Sequence, residues 1–545
     1  MNSLTSLPKS LRQRQRLTLL ALLCLSPTAP SLAQTAAPLL RQLIVSEAST
    51  TKPVDREGTG LHWLGLPELD RPALRGLLST ALGQPLTPAT VQALVTALNR
   101  ELAQTRERFS VASVPDQDVG QGQLRIVVTR GRLAALRITG AAEADAISRQ
   151  FDAVRGEAPI DAAALDATLA WIDRALPGRQ SEARFSPGAQ PGAVALDLQV
   201  REPERLSLSA GADNTGSPVT GTRRVSAGLT VNRLLGSSDQ ASLRVSGDPS
   251  FGHARSWQAS YQVGLPWRHV LSLSANSSSI HGRMPEPLDL RGSSSGQSLR
   301  YEIPLRLTGP WTDSLSLGFE HKRSDNNLLF SDTPVTQTVT DIGQFSASYS
   351  AERPDEFGHT RVTATLTVSP GGLLGHNDDV SFEATRAGAT ARYRVLQVQL
   401  ERGTRLGVLH WQSQLTLQQA SANLLGSEQL TGGGVRSVRG FAEGAGYGDS
   451  GWLWRNELQA PSWQGPAGLV LTPALLLDAA QLRLHTAQPG EPARRHLAST
   501  GLGLTASGPG KLSLSLQWAQ RIKSGVPSQP QHGSRLHLSL QWAGL

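Results

Sequence analysis

The chain has 545 residues, of which 39% are hydrophobic and 18% charged, with a formal net charge of +8. That length exceeds one ordinary domain and accommodates two or three. Lys9, Arg12, Arg14 and Arg16 supply four of the positive charges, so the rest of the chain carries about +4. So mild an excess, with no basic stripe of interleaved aromatics, argues against a nucleic-acid partner. The single cysteine, Cys24, excludes a disulfide framework, and the twelve histidines show no zinc-ligand spacing.

In chain order, residues 1–33 have the build of a secretory signal peptide. A basic n-region is followed by the short apolar run Leu17 to Leu25 and by the small residues Ser31 and Ala33. The run is too short to span a bilayer. A lipid anchor on Cys24 is disfavoured by the bulky Leu23 before it. Residues 34–60, rich in Ala, Pro, Ser and Thr without a clear period, are expected to form a flexible leader.

From Leu61 to Glu202 helical and strand patterns mix. The spacing predicts a helix over Asp70 to Ala81, with Asp70 as N-cap and Pro72 in its first turn. A second opens at Thr87-Pro88 and carries Val91, Leu94, Val95, Leu98 and Leu102 on one face. A hairpin follows, with Phe109, Val111 and Ser113 alternating before the β-rich run Leu124 to Thr129. The cycle then repeats. Leu133 to Ile138 reads as a strand, Ala162 to Ala175 as a helix capped by Asp161, and Ala193 to Val200 as a strand. Two successive α+β units are expected, over residues 61–132 and 133–202.

From residue 205 to 545 the period becomes two and stays so. Leu206, Leu208 and Ala210 alternate with serines; so do Trp257, Ala259, Tyr261 and Val263 with polar residues, and near the end Leu536, Leu538, Leu540 and Trp542. Segments of about ten residues, apolar on one face and polar on the other, with Trp and Tyr near their ends, are the signature of a transmembrane barrel. A sheet in a bilayer must close to satisfy its backbone. The span supports about 14–18 strands at roughly 20 residues each with its connection, and sixteen antiparallel strands are expected.

Three stretches resemble the TpsB-type (ShlB/FhaC/HecB-like) outer-membrane transporters of two-partner secretion. Val114 to Val128, VPDQDVGQGQLRIVV, is similar to the end of the first of that family's two POTRA domains. Asp213 to Asp239 resembles the opening barrel hairpin. Val435 to Glu457, VRSVRGFAEGAGYGDSGWLWRNE, resembles the signature of a long loop folded back into the pore. The resemblance implies a pore-loop motif of Val438, Arg439, Gly440 and Phe441, with Arg439 paired to an aspartate on the inner wall. Asp478 matches that aspartate, although Leu476 stands where the family has an aromatic.

It further implies an outer membrane pore of a Gram-negative bacterium, with POTRA domains in the periplasm. The pore would export an extended exoprotein, a TpsA-like adhesin or haemolysin, and the barrel-assembly machinery would be its partner during biogenesis. An assembly factor of the same superfamily and a passive porin-like channel are the alternatives. A buried arginine needs a partner in any of these, and a carboxylate offers bidentate bonds.

No catalytic, metal or cofactor site is expected. Gly448-Asp449-Ser450-Gly451 spells the surroundings of a serine nucleophile, which would need His and Asp partners in space, but it lies inside the loop motif, is followed by Trp452 and has no cysteine-stapled scaffold around it. Gly444, Gly446 and Gly448 lack the strand–turn–helix context of a phosphate loop. His376 to Asp379 reads as an exposed turn.

Overall fold

The computed structural model describes residues 37–49, 58–217, 219–282, 288–330, 333–526 and 530–544. The signal-peptide reading lies outside them. The chain divides into two compact units near Glu202 and Pro203.

The first unit holds two α+β modules. The first comprises β1 (Gln42–Glu47), β2 (Gly60–Leu64), α1 (Pro72–Ser79), α2 (Pro88–Leu102), β3 (Val111–Ser113) and β4 (Gln123–Thr129). Its sheet runs β2-β1-β4-β3, with β1 parallel to both neighbours and β3 antiparallel to β4. Leu43 and Val45 pack with Leu74, Leu78, Leu94, Leu98 and Ile126 in one core. Thr87 caps α2, its hydroxyl accepting from Thr90 N at 3.1 Å.

Two expectations are corrected here. The leader over residues 34–60 contains β1, the central strand of this sheet. Alternate residues of β1 are buried on both faces, Ile44 being only 3% exposed. A strand covered on both sides shows a contiguous apolar run rather than a period of two. Asp70 is not the N-cap of α1. Arg71 holds that position without a side-chain bond, and Asp70 instead accepts from Arg75 Nε at 2.9 Å.

The second module comprises β5 (Arg132–Thr139), α3 (Ala144–Ser148), α4 (Ala162–Ala175), β6 (Gln180–Pro187) and β7 (Ala193–Arg201). The sheet order is β5-β7-β6, with β5 parallel and β6 antiparallel to β7. Asp161 accepts from Ala163 N at 2.9 Å at the start of α4. Leu165 and Ile172 of α4 pack on Leu196, Leu198 and Val200, the inward face of β7.

The second unit is a closed barrel. Its strands are β8 (Leu206–Asp213), β9 (Arg224–Asn232), β10 (Asp239–Gly247), β11 (Ala254–Gly264), β12 (Val270–Gly282), β13 (Leu288–Arg306), β14 (Thr312–Phe330), β15 (Thr333–Pro354) and β16 (Gly358–Pro370). After a short helix, α5 (Asp379–Thr385), come β17 (Arg392–Leu406) and β18 (Leu409–Ala420). A small hairpin, β19 (Leu430–Gly432) and β20 (Gly446–Gly448), lies within the next connection. The wall resumes with β21 (Ser450–Gln459), the two-residue β22 (Trp463–Gln464), β23 (Val470–Arg483), β24 (Arg494–Ser507), β25 (Leu512–Ser524) and β26 (Ser534–Gly544). Apart from β22, sixteen antiparallel strands form the ring, which β26 closes on β8 from Ser539↔Asp213 to Gly544↔Leu208.

The period of two sorts the faces. Leu243, Trp257, Leu299, Leu317, Leu475, Leu502, Leu538 and Trp542 are exposed on the outside, as a lipid-facing stripe requires. The inner face is polar. Between β10 and β13 it carries cross-strand hydroxyl pairs: Ser242 with Ser260, Ser274 with Ser298 and Ser278 with Ser294, at 2.7–2.8 Å. The connections also sort. Those at the end where β8 begins are short, such as residues 407–408 between β17 and β18. The long ones, residues 371–391, 421–449 and 484–493, lie at the other end. Short periplasmic turns and long outer loops are the rule for such barrels, which makes the long-loop end the cell surface. β13, β14 and β15 have 19, 19 and 22 residues, well beyond the expected ten. Polar runs, residues 291–298 in β13 and 320–327 in β14, interrupt the period of two along them.

A loop pinned inside the lumen

The longest connection, residues 421–449, does not extend outward. It folds against the inner wall, and the motif Val438-Arg439-Gly440-Phe441 sits at the point of contact. Arg439 is fully buried. Its Nε donates to Asp478 Oδ2 and its Nη2 to Asp478 Oδ1, both at 2.7 Å, a bidentate fork that matches the carboxylate. The Arg439 backbone N–H adds a third bond to Asp478 Oδ2 at 3.0 Å. Nη1 donates to Glu457 Oε2 at 3.0 Å, and Nη2 to the Asn456 carbonyl at 2.7 Å. A guanidinium removed from water is costly unless its donors are matched, and here each nitrogen is.

The strands explain why these groups converge. Along β23, Leu475 and Leu477 are exposed to the outside, whereas Leu476, Asp478, Ala480 and Leu482 are buried on the inner face. β21 pairs with β23 so that Arg455 faces Asp478 and Glu457 faces Leu476, which puts Glu457 on the same inner surface. Glu457 is a partner of Arg439 that the motif alone does not reveal; the signal that finds it is strand parity.

Gly440 and Phe441 complete the contact. Gly440 has φ +94°, and a Cβ there would lie 3.1 Å from the Ala519 carbonyl oxygen. Its own carbonyl accepts from Arg521 Nε of β25 at 2.8 Å. Phe441 is fully buried with Val438, Leu430, Leu482, Leu497 and Val526, and the Arg521 guanidinium stacks on its ring. Arg436, by contrast, is exposed.

A second anchor holds the near part of the loop. Glu428 accepts from Lys322 Nζ of β14 at 2.9 Å and from Gln344 Nε2 of β15 at 3.0 Å. β14 and β15 stand far round the ring from β21 and β23. The loop therefore crosses the lumen, tied at both sides.

The other motifs resolve structurally. Asp449 of the Gly-Asp-Ser-Gly sequence binds Arg386 Nη1 at 2.6 Å, and Ser450 Oγ accepts from Ala420 N at 3.0 Å, so both side chains tie the loop to its surroundings. Asp378 caps α5 through Ser381 N at 2.8 Å, and Asn377, expected in an exposed turn, is buried and accepts from Leu373 N. Among the described residues no group of His, Cys, Asp and Glu is arranged to hold a metal.

A closed sixteen-strand barrel with its longest outer loop latched inside the lumen, preceded by α+β modules, defines an outer-membrane pore of the POTRA–barrel class. The family model for the haemolysin secretion/activation protein ShlB/FhaC/HecB matches residues 192–506, more than half of the chain, and the chain belongs to that family. It is 26% identical to the outer membrane transporter CdiB of Dickeya dadantii over 372 residues, 66% of this chain and 64% of that protein. It is equally 26% identical to the hemolysin transporter protein ShlB of Serratia marcescens over 375 residues, with the same shares. The match thus spans a little under two thirds of these relatives' lengths. Among solved structures, CdiB from Escherichia coli superposes with a TM-score of 0.75 at 20% identity, covering 95% of this chain and 92% of that one. The protein resides in the outer membrane with its POTRA modules in the periplasm.

Proposed function

We propose that this protein exports an exoprotein in extended form from the periplasm to the cell surface, as the transporter of a two-partner secretion pair. The observation that carries this reading is the buried Arg439–Asp478–Glu457 cluster, which latches a loop across the lumen. A passive channel gains nothing from so costly a fixture inside its pore. A pore that must widen for a polypeptide and seal again does. The POTRA modules present the open edges of β2, β3, β5 and β6, on which an extended chain can add as a further strand. A TpsA-like adhesin or haemolysin is the cargo class, outer-membrane lipid the surroundings, and the barrel-assembly machinery the partner in biogenesis.

The test is surface delivery of a candidate exoprotein in cells that carry wild type, Arg439→Ala, or a deletion of residues 37–202, with barrel levels checked in the outer membrane. Cargo held in the periplasm by both assembled variants supports the reading. Undiminished delivery by both overturns it.

A further inference from the structure

The aspartate of the Gly-Asp-Ser-Gly sequence is among the most densely bonded side chains of the barrel. Asp449 is fully buried just before β21, at the outer end. Its carboxylate accepts from Arg386 Nη1 at 2.6 Å, Leu424 N at 2.9 Å, Gln429 Nε2 at 3.0 Å and His485 N at 2.8 Å. Those donors come from three different outer connections: residues 371–391, 421–449 and 484–493. Asn423 makes a second tie among the same three. It forms an isolated bridge with Ala389, donates from Nδ2 to the Thr486 carbonyl at 2.9 Å and accepts from Thr486 N at 2.8 Å. Phe382, Ala389, Leu424 and Leu425 bury an apolar seam between the first two connections.

The stapled connections stand across the lumen. Arg386, Leu425, Gln429 and Tyr447 line one side of a cavity of about 870 Å³, and Ser294, Lys322, Asn326 and Thr340 of β13–β15 line the other. A chain that leaves through this cavity must pass between these sides or push the stapled side away.

We propose that Asp449 is the central staple of an outer gate, distinct from the Arg439 latch, which holds three surface loops together and sets the width of the exit. A carboxylate suits that task. One small group gathers a guanidinium, a side-chain amide and two backbone N–H groups, so its loss releases all three loops together. The purpose of the gate rests on the export reading, but ion conductance tests it without any cargo.

The experiment uses the full chain in planar bilayers, comparing wild type, Asp449→Asn, and the pair Ala389→Cys/Asn423→Cys oxidised and reduced. Bridge partners lie close enough for a disulfide. The same pair is then assayed for cargo delivery in cells. Asp449→Asn keeps the shape but loses the charge and is expected to raise the time spent open about tenfold or more. The oxidised pair is expected to remain closed and to block delivery, with reduction releasing both. Wild-type conductance from a folded Asp449→Asn barrel overturns the gate, as does delivery through the oxidised pair at the reduced rate. Raised conductance in Asp449→Asn with no delivery by any form, wild type included, supports the gate and refutes export.

Discussion

Truncating Arg439 to alanine removes four side-chain bonds from the latch, two to Asp478, one to Glu457 and one to the Asn456 carbonyl. Asp478, only 1% exposed, keeps just two backbone donors, Arg439 N at 3.0 Å and Asn456 N at 3.4 Å. Breaking one side of a buried pair costs roughly 3–5 kcal/mol, because the other charge stays buried without its partner. At 1.4 kcal/mol per factor of ten, the undocked population of the loop rises roughly 100- to 4,000-fold. Asp478→Ala should cost a similar amount, and the double variant far less than the sum, with a coupling of roughly 2 kcal/mol or more. Hydrogen exchange of residues 430–441 in the purified chain measures each corner of this cycle. Additivity within about 0.5 kcal/mol, or exchange unchanged in both single variants, would refute the argument that the pair holds the loop.

Other outcomes follow from the same geometry. Gly440→Ala places a side chain on a left-handed backbone and against the Ala519 carbonyl, so loop docking should weaken by about 1–3 kcal/mol, visible in the same exchange experiment. Leu43→Ala empties a fully buried site in β1 and should destabilise the first POTRA module by roughly 2–5 kcal/mol in urea; no effect would return residues 42–47 to a leader. Leu538→Arg puts a charge on the lipid face of β26 and should cost about 2–4 kcal/mol if it lies near the midplane, read as a lower folded fraction in the membrane.

The barrel is legible in the sequence because its physics is repetitive. Lipid on one side and a polar lumen on the other impose a period of two on most strands between Leu206 and Trp542, which brackets the ring at about 14–18 strands. The modules are legible where helices have amphipathic faces, as in α2 and α4. They are not where a strand is buried on both faces, as β1 is, or half exposed at an edge, as β6 is. The full lengths of β13 and β14 are not legible because the polar runs 291–298 and 320–327 break the period of two. At the lumen site, Arg439 and Asp478 were named through a resemblance, and the structure brings them together. Glu457 was open to strand parity, but Arg521 and the Glu428 anchor depend on strands distant in sequence meeting at one height, which no local pattern records. Asp449 was visible only as a misleading motif.

The paired serines on the inner wall of β10–β13 have a consequence for motion. In each pair one hydroxyl donates to the other across 2.7–2.8 Å, so on the export reading proposed above a chain sliding past these six serines meets one free donor per pair instead of two. Such a wall offers low friction: contacts are many, shallow and nearly alike from one step to the next. Arg244 and Arg300 share that face, so resistance to a moving chain is expected to concentrate at them rather than at the serines.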